Sequence, residues 1–486
     1  MIIFFVCVAL LITGYFTYGV FVERIFKIQI DRPTPAYTET DGVDYMPMKR
    51  WRVIFIQFLN IAGVGPVFGP ILGAVYGPSA LLWIVIGSIF AGGVHDYFSG
   101  MMSVRHKGES IPEVIGDYMG TPSRWVMRVF SVVLLMLVGV IFVTAPADLL
   151  TKVTGHEQIL GLDTRMFFIV LIFIYYFIAT ILPINQIIGR LYPFFGLLLV
   201  VMTFALFFGL LFSGKEMLPN HNFFQNVHPK SESFPIWPLI FITISCGALS
   251  GFHSTQSPLM ARCIQSEKDG RPVFYGSMII EGIVALIWAT IGMSFFYNPG
   301  EPFSAGLAQV ISEGGPANVV ATSANALLGG VGGALAMLAV IVLPITSGDT
   351  AFRSTRLIFA DMLNLKQGQI RNRLLLALPL FAMGVVLTFV DFHVIWRYFG
   401  FSNQALSTTM LWAGAAFLVA NGRASYHWMC SLPAAFMTAV CSAYILSAKI
   451  GFNINMDYAQ IAGIIIGVVS LGLFIAFRHK IKPETT

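Results

Sequence analysis

His95 and Asp96 are consecutive residues inside one apolar run, and His253 and Gln256 stand three apart inside another. An imidazole changes charge near neutral pH, so beside a carboxylate it can carry a proton. A charged group at membrane depth costs about 2.5 to 3.5 kcal/mol on insertion scales, so it is retained where it is paired, functional or close to an interface. Asp96 lies nine residues before Arg105, near the end of its run, where a structural hydrogen bond or a cytoplasmic gate competes with a proton relay. Glu281, in a third run, is a candidate partner for His253 or for an arginine. On a helix His253 and Gln256 share a face, and with Ser245 and Ser250 they would line a polar path. Gln57 and Asn60, also three apart, would offer amides to a carboxylate or a peptide group, as would Asn403, although amides also bind helices together. The chemistry open to this set is proton transfer and solute binding. Hydrolysis is excluded, since HExxH, GxSxG and paired Cys/His spacings do not occur.

Elements that could hold such groups must be membrane helices. Hydrophobic residues make up 56% of the 486 and charged ones 11%, and the mean hydropathy is +0.78, far from a soluble chain. A net charge of +5 would point a soluble protein towards nucleic acid, but the basic residues here sit between apolar runs and read as a topology signal. The partners expected are lipids and a small-molecule substrate, with no nucleic acid; nothing fixes an oligomeric state. The five cysteines form no CxxC pair and read as small core residues. No cofactor motif appears.

Thirteen segments approach the 20 or so residues that a crossing needs: 1–22, 52–77, 79–104, 125–149, 165–183, 190–213, 236–260, 274–298, 319–347, 373–391, 393–418, 424–448 and 459–478. Placing the N-terminus outside leaves only Lys152, Arg165, Lys215, Lys230, Arg397 and Lys449 of the 29 basic residues on the outer side. That asymmetry predicts N-out, C-in.

Two of these spans are interrupted. NIAGVGPVFGP, Asn60 to Pro70, and ISCGALSGFHSTQSP, Ile244 to Pro258, put glycines and prolines at membrane depth. With 1–22 as an additional helix, they become the first and sixth of ten core helices, each followed by four unbroken ones, and 424–486 follows as a two-part extension. Repeats at 52–213 and 236–418 then run in opposite directions. Paired broken helices in corresponding positions point to a transporter site, where freed backbone groups near Gly63, Gly65 and Gly247 meet cargo. The competing reading is close packing at the glycines and a simple kink at the prolines.

DRPTPAYTETDGVDYMP (Asp31–Pro47), IAGVGPVFGPILGAVYG (Ile61–Gly77), GGVHDYFSGMMSVRHKGESIPEV (Gly92–Val114), ALSGFHSTQSPLMARC (Ala248–Cys263) and ITSGDTAFRSTR (Ile345–Arg356) together resemble the carbon starvation protein A (CstA) family, in a short form. The resemblance covers most of the chain. It implies a multi-pass transporter of the bacterial inner membrane that imports peptides or pyruvate during carbon starvation, with the LeuT-like 5+5 inverted repeat of the amino acid–polyamine–organocation superfamily. By that analogy Thr346 and Ser347 on the eighth core helix, with carbonyls near Ala62, Gly63 and Gly65, would hold Na⁺, for which oxygen ligands suit a hard cation. The alternatives are hydroxyls bonded back to their own helix and coupling to H⁺ through His95, Asp96 and Glu281. Charges around Arg32–Pro35 and Ser347–Arg356 could form a salt-bridge gate, although ordinary positive-inside retention is the simpler account of Arg353 and Arg356. A different class of function, an ion-linked nutrient sensor or a channel, lacks a filter motif or signalling domain here.

Overall fold

The computed structural model describes residues 1–186, 188–218, 222–390 and 392–483. It is almost wholly helical; among these residues the sole strands are the two-residue pair Gln158–Ile159 and Leu162–Asp163. The principal helices are α1 (Ile2–Phe16), α2 (Tyr18–Phe26), α3 (Arg50–Ala62), α4 (Gly65–Gly73), α5 (Ser79–Ile86), α6 (Gly93–Arg105), α7 (Thr121–Thr154), α8 (Thr164–Ile181), α9 (Ile188–Phe212), α10 (Ile236–Thr243), α11 (Gly251–Ala261), α12 (Gly276–Phe295), α13 (Ala305–Leu363), α14 (Ile370–Leu387), α15 (Phe392–Ala420), α16 (Trp428–Ser447) and α17 (Met456–Phe477).

Among the described residues ten helices are long and apolar enough to cross a membrane, or eleven if the bent pair Arg50–Ala62 and Gly65–Tyr76 is one span. Thirteen are expected from the sequence. The second interrupted span, 236–260, consists of two short helices, α10 and α11, neither of which qualifies alone. The segment 393–418 lies within α15, 29 residues long but diluted by Arg397, Asn403 and Gln404. The expected span 373–391 ends at Asp391, outside the described residues.

Both interruptions are present, and their causes are local. At Gly63 the backbone turns to φ 46°, a region that side chains disfavour. Pro66 then opens α4 at a position where its missing N–H costs nothing, and the two halves meet at 45°. The second break is longer. Gly247 has φ 93°, and Ser250 is extended before α11 begins.

The two breaks pack on one another through glycine. A Cβ on Gly65 would lie 2.2 Å from Cys246 Cβ, and one on Gly92 would lie 2.2 Å from the carbonyl of Ala248. Gly251 is the tightest case on α11, since a Cβ there would meet the Asn403 carbonyl at 2.1 Å. Backbone on both sides leaves no room to relax, so Gly251→Ala should destabilise by about 1 to 3 kcal/mol or more through overpacking. The check is the fraction of monodisperse protein recovered after extraction; wild-type recovery would refute the close approach. At the C-terminus, Gly463 and Gly467 of α17 lie against Ala435, Ala439 and Ala443 of α16, a small-residue seam of the kind that joins helices in lipid.

α13 runs well beyond the expected 319–347. It contains Gly315 (φ 70°) and Gly329 (φ 71°), where the helix bends, and it continues past Ser347 to Leu363 with Asp349, Arg353 and Arg356 buried. Hydropathy ends at Ser347; the helix does not, because its polar groups find partners.

Candidate functional site

The second break ends in α11, which carries His253 into the core, where the imidazole is fully buried. His253 Nδ1 lies 2.9 Å from Asp96 Oδ2, while Asp96 Oδ1 lies 2.8 Å from His95 Nδ1. On the other side, His253 Nε2 is 3.3 Å from Glu281 Oε2. One ring therefore bridges two buried carboxylates from α6 and α12. Both Nδ1 atoms must be N–H donors to serve Asp96. A proton is then needed between His253 Nε2 and Glu281, since a bare ring nitrogen and a carboxylate are both acceptors. Neither Glu281 oxygen nor His253 Nε2 has a well-formed hydrogen bond. The arrangement can therefore hold a proton that either group could carry. The Cys246 thiol comes close as well, and a ligand-type atom from each of Cys246, His253 and Glu281 lies within 4.8 Å of the others. That thiol donates to Ser250 Oγ at 3.4 Å, and the three form one polar cluster against the break.

Asn403 caps the restarted helix. Its Oδ1 accepts from Phe252 N at 2.7 Å and from Ser250 Oγ at 3.1 Å, which satisfies donors that a helix N-terminus leaves free. Gln404 adds a donor to the Leu249 carbonyl at 3.2 Å. Ser88 bonds the Gly247 carbonyl at 3.0 Å, so the freed backbone of the break is largely occupied by neighbours. Gln256 turns elsewhere, to Thr255 at 3.1 Å and Ser354 at 3.5 Å. Ser245 is buried beside Cys246 in the break.

The first break is different. Gln57 and Asn60 are fully buried, and all four of their amide N and O atoms lack partners. An unmet buried polar group costs about 1 to 3 kcal/mol.

The hydroxyl pair of the expected sodium site splits. Thr346 Oγ1 bonds back to Leu343 O at 2.7 Å, whereas Ser347 Oγ reaches across to Leu59 O at 2.9 Å. Ser347 also lies beside Gly63, 3.4 Å from where a Cβ would stand. Ala62 is buried next to Gly63, and Gly65 faces Cys246 instead of Ser347.

One end of the bundle is laced with ion pairs. Residues 43–48 thread between helix ends: Ile184 N donates to Val43 O at 2.9 Å, and Met48 N to Cys263 O at 3.0 Å. This places Asp44 against α13, with Arg353 Nη1 at 2.6 Å and Arg356 Nη2 at 2.7 Å. Burial alone would raise the Asp44 carboxyl, but Arg356, Arg353 and Arg262 outweigh it and hold it at about 2. Arg262 meets Asp361 at 3.3 Å, Arg105 meets Glu267 at 2.6 Å, and Arg50 meets Asp269 at 2.5 Å. Arg353 and Arg356 are thus part of a buried lock, not ordinary boundary charges. Asp148 behaves as an interface residue, half-exposed and paired with Arg165 at 2.5 Å.

The sequence reading missed Asp349. It is buried on α13, accepts from Tyr175 Oη at 2.8 Å, and is hydrogen-bonded to Tyr192 Oη as well. The available signal was YY at 175–176, an unusual pair of phenols inside an apolar run.

Comparison with known proteins follows the same lines. The chain is 46% identical over 339 residues to an uncharacterized membrane protein of Haemophilus influenzae, covering 61% of this chain and 91% of that one. It is 28% identical over 551 residues to the peptide transporter CstA of Campylobacter jejuni, with 89% and 77% covered. It is 24% identical over 585 residues to the pyruvate/proton symporter BtsT of Escherichia coli, with 92% and 81% covered. Among solved structures, a manganese transporter of Eremococcus coleocola superposes with a TM-score of 0.50 at 14% identity, over 88% of this chain and 95% of that one, a likeness of fold alone. The sequence model described as Carbon starvation protein CstA matches residues 1–159, 148–298 and 297–443, and on that match the chain belongs to the CstA family.

Proposed function

We propose that this protein is a proton-coupled secondary transporter that imports a small carboxylate-bearing carbon source, pyruvate or a peptide, across the bacterial inner membrane. The observation that carries this reading is the pair Gln57 and Asn60, buried with every amide atom unpartnered directly before the first break. A cargo carboxylate or peptide group supplies the missing partners, and both cargoes named among the relatives bear one. The His95–Asp96–His253–Glu281 cluster holds the proton at the second break. The 5+5 inverted repeat, an outer N-terminus and a role in carbon starvation complete the proposal.

Uptake of labelled pyruvate into proteoliposomes tests it, with di- and tripeptides as competitors and with proton and sodium gradients imposed separately. Accumulation under the proton gradient is expected. Gln57→Leu and Asn60→Leu should each raise the KM by roughly tenfold or more, the loss of one or two polar contacts of about 1 kcal/mol each. The bond from Ser347 to Leu59 favours sodium as a second reading, and accumulation under the sodium gradient alone would select it. Failure to accumulate pyruvate or labelled peptide under either gradient would return the chain to a sensor or channel.

A further inference from the structure

Asp349 lies one turn from the hydroxyl pair and one turn from the Asp44 lock, and no step described above uses it. Its surroundings set a proton count. Tyr192 Oη is hydrogen-bonded to two oxygens at once, the Thr346 carbonyl and Asp349 Oδ1. A phenol has one proton to donate, and an ionised carboxylate has none. With Asp349 ionised, one of those two contacts would set lone pair against lone pair in a buried site. A proton on Asp349 Oδ1 removes the conflict: Asp349 donates to Tyr192, Tyr192 donates to Thr346 O, and Tyr175 donates to Asp349 Oδ2 at 2.8 Å.

Among the described residues no cation hydrogen-bonds the Asp349 carboxyl, whose side-chain partners are Tyr175 and Tyr192. The titratable and charged groups that act on Asp349 are Tyr175 and Tyr176 of α8, Tyr192 of α9 and Arg353 of its own helix, with Arg373 of α14 beside Arg356 further along. Tyr176 donates to the Phe142 carbonyl at 2.7 Å. Arg353 is taken by Asp44 at 2.6 Å and by the carbonyls of Ala179 and Leu182, and Arg373 by the Ile181 carbonyl.

We propose that Asp349 is a second proton site of this protein, occupied in the arrangement described here, and that its proton latches α13 to α8 and α9. On release the proton passes to entering water. The carboxylate then takes the Tyr192 proton as a hydrogen bond, Thr346 O loses its donor, and the seam that holds Ser347 against Leu59 loosens.

The test needs no cargo. Infrared difference spectra of the purified chain in lipid nanodiscs, wild type minus Asp349→Asn, should contain the carbonyl stretch of a protonated carboxyl at neutral pH, converting to carboxylate bands on alkaline titration. Asparagine reproduces the donor to Tyr192, so Asp349→Asn should keep wild-type melting behaviour at neutral pH and lose the wild-type decline as the pH rises. If that variant does not fold, Tyr192→Phe serves: it removes the partner, and the protonated-carboxyl band should move. A difference spectrum without the band, or a band that Tyr192→Phe leaves in place, overturns the proposal. Loss of proton-driven uptake in other variants bears on the transport reading and not on this one.

Discussion

Replacing Asp96 with Asn should cut accumulation of cargo driven by an imposed pH gradient steeply, while exchange of labelled for unlabelled cargo across the same membrane continues. Asn keeps the size of Asp and one acceptor oxygen but carries no charge, so His253 loses its ionic partner at 2.9 Å and the proton it shares with Glu281 is no longer held between two carboxylates. A hydrogen bond to a charged group contributes about 1.5 to 3 kcal/mol, which corresponds to roughly a ten- to hundredfold fall in the driven rate. Exchange needs no net proton movement and should survive. Wild-type gradient-driven uptake by this variant would remove the cluster from coupling and leave it as helix glue. His253→Ala makes the harsher version, since it leaves Asp96 and Glu281 buried without the group between them. A cost of about 3 to 5 kcal/mol is expected there, as for breaking any buried pair from one side.

The second large effect belongs to Asp44. Asp44→Asn leaves Arg353 and Arg356 buried and facing each other without their shared counter-charge, so about 3 to 5 kcal/mol of stability should be lost, read as a fall in melting temperature. Asp44→Leu with Arg353→Met and Arg356→Met, which removes the shared carboxylate together with both arginines, should cost less than Asp44→Asn alone; equal losses would show that the ion pairing is not what matters. The pH dependence has a definite sign. The carboxyl is held at about 2 against an ordinary value of 3.8, so its contribution is present above pH 4 and is lost only as the pH falls towards 2. Between pH 5 and 8 the lock is constant. Any pH dependence of stability in that window must come from other groups, and Asp44→Asn should leave its shape unchanged.

What could be read in the sequence was whatever backbone chemistry announces. Gly63, Pro66 and Gly247 mark the breaks because glycine and proline alter the chain itself, whatever surrounds them. The pairing of His253 with Glu281 was also within reach, since two ionisable residues in different apolar runs need partners and few were available. α13 was not legible past Ser347. SGDTAFRSTR looks like the polar end of a span, and its burial depends on Asp44, a residue some 300 positions earlier that no local window sees. The same reason hid Asp349, whose partners come from α8 and α9. Thr346 and Ser347 were found together but bond apart, because which way a hydroxyl turns is settled by its surroundings: Leu59 offers a carbonyl to one, and the other bonds back to Leu343 of its own turn.

The glycine bends of α13 have a consequence for how the two ends of the protein can move. At 1.5 Å per residue, its 59 residues would measure about 90 Å if straight, three times the hydrocarbon thickness of about 30 Å. The part after Gly329 alone suffices for a crossing. The part before it is laid over the far ends of α9 and α12, with Leu327 against Gly209 and Leu307 against Gly292. One end of the protein is therefore tied together by charge, and the other is covered by a segment that bends at two glycines. Separating the first requires several buried ion pairs to part together, which makes it an all-or-none event. Lifting the second asks only for rotation at Gly315 and Gly329, a graded motion that exposes apolar surface piece by piece. If the proposed transport opens both ends, it would pass through a switch at one and a hinge at the other.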